Sequence, residues 1–259
     1  MCIDLNSEAI DLLKEGRAVD GIRTIKMALC CLESYVANLP PQERSTRAME
    51  SQPAGEDGPQ EIDANMGENN GSEDARRHAA LSSSFHNVSV MSTTALNDVS
   101  PHNIFDFYPR MFQITNKNED EFGLSKVFVI LLYNLAVSHH ILTVFFPPLE
   151  SNARLVHPRY HVEPVLQLYE TALTVARTSL NREEVEELLP TLLATTNNLG
   201  HGFSHLNYFQ ETQATISMMI NLLAISTTMH PIHPEDYVCF FQSICIFLDG
   251  QNLCIPPAA

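Results

Sequence analysis

Apolar residues recur at spacings of three and four in two blocks of the chain, and the pattern is lost between them. In the first block, NSEAIDLLKEGRAVDGIRTIKMALCCLES (6–34), Ala9, Ile10, Leu12 and Leu13 are followed by Ile22, Ile25, Ala28, Leu29 and Leu32. That spacing gathers apolar side chains on one helical face. Gly16 marks a short turn between the runs, so residues 1–39 predict an antiparallel helical hairpin, with Asn6 or Ser7 as cap. The second block, 123–249, predicts helices at about 124–144, 164–179, 182–206, 208–225 and 235–248. The helix from Pro164 carries Val165, Leu168, Tyr169, Ala172, Leu173 and Ala176 on one stripe. Asn181 with Glu184 has the chemistry of a capping box, and Pro190 must kink or split the helix that follows. The fold class expected is all-α, with a short tail at 250–259.

Between the blocks, residues 40–103 are polar and rich in Gly, Pro, Asn and acids, and the run LSSSFHNVSVMSTT adds only Ser and Thr. A composition of this kind buries too little to order itself, so the expectation is a disordered low-complexity insert. An aromatic cluster, IFDFYPRMFQI (104–114), opens the next segment, 104–122. Pro109 opposes both a helix interior and a central strand, which predicts an extended segment. Seven large apolar and aromatic residues do not stay free in water, so the segment is expected to dock on the helices.

The hairpins resemble tetratricopeptide (TPR) repeats, helix-turn-helix units of 34 residues. The fullest match is LATTNNLGHGFSHLNYFQETQATISMMINL (193–222). Leu199-Gly200 stands at the repeat's Leu-Gly pair, Phe203 at the aromatic one turn on, and Phe209 at the aromatic after the turn. Thr212, Ile216 and Met219 take the small, large and small positions of the second helix. In the N-terminal hairpin Ala9, Leu12, Gly16-Arg17, Gly21, Ile25 and Ala28 match, with Glu8 where Leu is usual. A third unit pairs Leu132-Tyr-Asn-Leu135-Ala136 with Val165 to Leu173, interrupted by the 17 residues FFPPLESNARLVHPRYH. The resemblance implies a stack of α-α hairpins, closed by the helix at 235–248 as a cap, whose first helices line a peptide-binding groove. By position that groove holds Asn6, Ile10, Leu13 and Lys14; then Tyr133, Val137 and His140; then Asn197, His201, Ser204 and His205. Most of the Lys and Asn clamp by which some such proteins take C-terminal carboxylates is missing.

Composition narrows the function. Net charge is -16, with 14 acids against 6 bases within 40–122, which excludes a general nucleic-acid binder and disfavours an anionic membrane surface. Six cysteines include no C-x-x-C pair, and with no basic n-region the expected compartment is cytoplasm or nucleus. The stretch VFVILLYNLAVSHHILTVFF (127–146) has the length of a membrane span. Asn134, Ser138, His139 and His140 at its centre argue for a buried core helix instead.

His201 and His205, four apart, have the helical spacing of zinc ligands. Gly202 stands where H-E-x-x-H carries its general base, and no phosphate loop, nucleophile elbow or dinucleotide fingerprint is present. The expectation is a non-enzymatic interaction protein that takes a peptide or helix of an unidentified partner, without cofactor or metal. The sequence leaves its oligomeric state open. A histidine-based metal-dependent hydrolase and a protein anchored through 127–146 are the rival readings.

Overall fold

The computed structural model describes residues 1–38, 85–89, 108–115, 123–145, 159–229 and 234–252. Their helices are α1 (Cys2–Lys14), α2 (Ala18–Asn38), α3 (Leu124–Phe145), α4 (Arg159–Ser179), α5 (Arg182–Glu187), α6 (Leu189–His205), α7 (Phe209–Met229) and α8 (Pro234–Asn252). Two short strands, β1 (Phe85–Ser89) and β2 (Arg110–Ile114), pair antiparallel with Phe85 opposite Ile114 and Ser89 opposite Arg110. The described residues are therefore mostly helical.

The helices pack as neighbours in sequence. α1 lies on α2, α2 on α3, α3 on α4, α4 on α6 and α6 on α7, while α8 covers parts of α6 and α7. One continuous apolar core runs through them, from Ile10 and Ile25 through Ile130 and Tyr169 to Phe240 and Phe247. Gly16 makes the α1–α2 turn at φ 77°, a conformation that favours glycine. Glycine also sets close helix approaches. A Cβ on Gly202 would stand 2.2 Å from Leu166 Cδ2 of α4, and one on Gly200 would stand 2.9 Å from Phe247 Cε2 of α8.

The split at Pro190 and the cap at Asn181 are as the sequence leads one to expect, while other boundaries differ. The helix expected at 182–206 is split at Leu188, with Pro190 in the first turn of α6, where its missing N–H costs no intrahelical bond. The Asn181–Glu184 capping box is formed in both directions, each bond 3.0 Å. Helix α4 starts at Arg159, ahead of Pro164, so part of the segment read as an interruption is helical. Within the segment read as disordered, 85–89 form a strand; the rest of 40–103 lies outside the described residues, as do 104–107, 116–122 and the tail from 253. Helix α8, read as a cap, exposes Tyr237, Val238, Phe241, Ile246 and Leu248. A polar outer face, usual for a terminal repeat, is not what it presents.

Candidate functional site

Residues 108–115 lie along the inner helices α1, α3, α6 and α8, and three buried asparagines hold them by the main chain. An asparagine offers one acceptor and two donors, so it can accept the N–H and bond the C=O of the same extended residue. Asn134 of α3 does this to Phe112, accepting its N–H at 3.0 Å and donating to its carbonyl at 2.9 Å. Asn198 of α6 does it to Tyr108, accepting its N–H and donating to its carbonyl at 3.1 Å. Asn6 of α1 donates to the Phe112 carbonyl at 3.1 Å and accepts from Asn134 at 2.8 Å. Between the two clasps, the Tyr133 hydroxyl donates to the Arg110 carbonyl at 2.9 Å.

The spacing follows from strand geometry. In an extended chain alternate residues turn their N–H and C=O to the same edge. Tyr108, Arg110 and Phe112 therefore present one edge to the helices, and the other edge is left for β1. Pro109 has no N–H to give, and it falls on the edge away from the asparagines, so the extended segment tolerates it.

Side chains add a second layer. The Tyr108 ring meets Phe240 of α8 at 5.1 Å, and Phe112 meets Tyr133 at 5.3 Å. Met111 and Ile114 are buried. Arg110 reaches α8, with Nη1 3.0 Å from Asp236 Oδ1 and Nη2 3.4 Å from Glu235 Oε2. The Asp236 side chain is 6% exposed and that of Arg110 is 32%. Burial opposes the Arg110 charge, but Asp236, Tyr108 and Glu235 outweigh it and raise its pKa.

Behind the clasps lies a buried polar chain. Asn198 donates to the Tyr169 hydroxyl at 3.1 Å, and that hydroxyl is 3.3 Å from His140 Nδ1. Burial, and then neighbouring Tyr169 and Tyr108, raise the Tyr133 pKa, and burial raises that of Tyr169, so both hydroxyls keep their protons. Burial, then His201 and His205, pushes His140 down to about 3, and burial alone pushes His201 down to about 4.

The residues singled out by sequence divide on this geometry. Tyr133 bonds the strand directly. Asn197 reaches it only through Asn198, to which its amide donates at 3.2 Å, and no partner stands at its own oxygen. His201 is not an open groove residue: it is buried between α6 and α8, with Nε2 3.1 Å from Ser243 Oγ and its ring edge-on to Phe247 at 4.6 Å. Ser204 and His205 are exposed. Val137, His140, Ile10 and Leu13 are buried, and Lys14 is exposed and paired with Asp11 at 3.1 Å. Sequence reading missed Asn134 and Asn198 as a pair. Each directly precedes a Leu-small dipeptide, Leu135-Ala136 and Leu199-Gly200, and that shared position was the available signal.

Among the described residues no three His, Cys, Asp or Glu side chains gather to hold a metal ion. The span Leu124–Thr143 is long and apolar enough to cross a bilayer, and 78% of its most apolar window is buried against other elements. No protein-family model matches the chain, and neither does any curated protein or solved structure.

Proposed function

We propose that this chain is a non-enzymatic, tetratricopeptide-like interaction protein that binds an extended peptide segment in the groove along α1, α3 and α6. The carrying observation is the pair of asparagine clasps, Asn134 on Phe112 and Asn198 on Tyr108. Hydrogen bonds to main chain recognise extension itself, as strand addition does at a sheet edge. Any peptide with two N–H and C=O pairs four residues apart satisfies them, so residues 108–115 occupy a seat that another segment fits. Hairpins α1–α2, α3–α4 and α6–α7 supply the proposed repeats, with Gly21 close against Leu13 and Gly200 against Thr215. Cytoplasm or nucleus is the compartment that suits this reading.

The test is a chain in which 108–115 are replaced by a Gly-Ser linker, titrated with the octapeptide acetyl-Tyr-Pro-Arg-Met-Phe-Gln-Ile-Thr-amide. Saturable binding is expected, and Asn134→Ala with Asn198→Ala should remove it. A folded linker variant that ignores the peptide sinks the proposal.

A further inference from the structure

The asparagines do not discriminate between sequences, so selectivity rests on the side chains that flank the clasped main chain. Met111 is buried on one face, and four positions do this on the other: the Tyr108 ring on Phe240, the Arg110 guanidinium on Asp236 and Glu235, the Phe112 ring on Tyr133, and buried Ile114. All four alternate along the strand, so their side chains share one face. Arg110 is the only charged residue among 108–115. It meets a carboxylate, Asp236, that is itself almost wholly buried. With Glu235 beside it, this acidic pair is complementary to a cation, so charge favours a basic residue at that position.

We infer that the groove's external ligand is a basic extended segment of a separate protein, with the pattern aromatic-x-Arg-apolar-aromatic-x-aliphatic, and that residues 108–114 are its built-in competitor. This rests on the groove reading above. Charge favours a separate basic partner over a second copy, since two chains of net charge -16 repel. The internal strand also joins α3 through 116–122 only. Its local concentration at the groove is therefore high, and an external segment meets an apparent affinity lowered by the closed fraction. Weakening the internal strand must then tighten the external one.

The experiment uses the full chain and fluorescent versions of the same octapeptide, read by anisotropy. Arg110→Glu sets a second carboxylate against Asp236 and Glu235 on the internal strand and leaves its aromatic anchors untouched. This variant is expected to bind the octapeptide at least roughly tenfold more tightly than the parent chain, about the value of one charge-assisted hydrogen bond. A probe with Glu in place of its Arg, and a probe with Ala in place of both aromatics, should each bind it roughly tenfold more weakly. Equal affinity for all three probes overturns the ligand class and leaves the groove reading standing. If no probe binds a variant that still melts cooperatively, both fail. Should Arg110→Glu not fold, Arg110→Ala removes the latch without adding repulsion and carries the same outcomes. A dimer of the parent chain that dissociates on probe addition makes a second copy the occupant and overturns the assignment to a separate protein.

Discussion

Asn134 and Asn197 are both fully buried amides, but they differ in what their loss exposes. Truncating Asn134 removes the side-chain bonds to the Phe112 N–H and C=O, and losing a buried hydrogen-bond partner costs about 1–3 kcal/mol. Asn134→Ala and Asn198→Ala are each expected to lower stability by about 2 kcal/mol in urea titrations. Asn197 bonds only its neighbour's oxygen, so Asn197→Ala should cost less than about 1 kcal/mol. Equal losses at 197 and 198 would remove the distinction. One residue of register separates the two, about 100° around the helix, and apolar spacing along a sequence fixes the inner face no better than that. Tyr133 is legible as an inward-facing residue because an aromatic at that position has a surface to fill. His201 misleads because the sequence does not place α8 against it.

The same residues set a pH dependence. His140 and His201 are neutral in the fold, held down to about 3 and about 4 by burial, against an ordinary value of 6.5. Below about pH 6.5 the unfolded chain binds protons that the folded chain refuses. The stability these groups contribute is thus complete above 6.5 and falls as pH drops toward 4 and 3. The loss reaches about 1.4 kcal/mol per pH unit for each imidazole. Neither Tyr169, which faces His140, nor Ser243, which faces His201, ionises in that range. Thermal melts across the acid range check this, and His201→Gln should flatten the slope. An unchanged slope would show that His201 is not buried in its neutral form.

At the scale of elements, close helix approach is the feature to probe. Gly202→Ala drives a Cβ to 2.2 Å from Leu166 Cδ2, and overpacking of this kind costs about 1–3 kcal/mol. Alanine's better helix propensity returns about 1 kcal/mol. A net loss of roughly 1 kcal/mol is expected, and Leu166→Ala in the same chain should relieve the clash while adding its own cavity. A melting temperature raised by Gly202→Ala would show that α4 and α6 stand further apart. The longer helices were legible because apolar residues recur along them; α4 begins ahead of its stripe, since the turn before Pro164 carries no apolar period, and α1 begins at Cys2, with Asn6 and Ser7 inside it rather than capping it. The strand at 85–89 was not legible. Ser, Asn and His are poor strand formers, and their pairing depends on an edge supplied by residues 110–114.

For the whole molecule, the informative feature is how far apart in sequence the bonded groups are. Asn6 and Phe112 are 106 positions apart, and Arg110 and Asp236 are 126 apart. A row of helices touching only neighbours unravels from its ends, each unit nearly independent. Here one strand is fastened to α1, α3, α6 and α8, so the first and last described helices share a tie. Hydrogen exchange should show α1 and α8 opening together in the parent chain. In Arg110→Glu, amides of α8 are expected to exchange before those of α6; matching rates would mean that the latch contributes nothing. Such a tie also orders the birth of the fold. Non-local contacts form late because their loop entropy is met first, and Asp236 emerges 126 residues after the arginine it holds. During synthesis the asparagines of α1, α3 and α6 are therefore in place to hold the strand before α8 exists to latch its arginine, so the last tie to form is the only charged one.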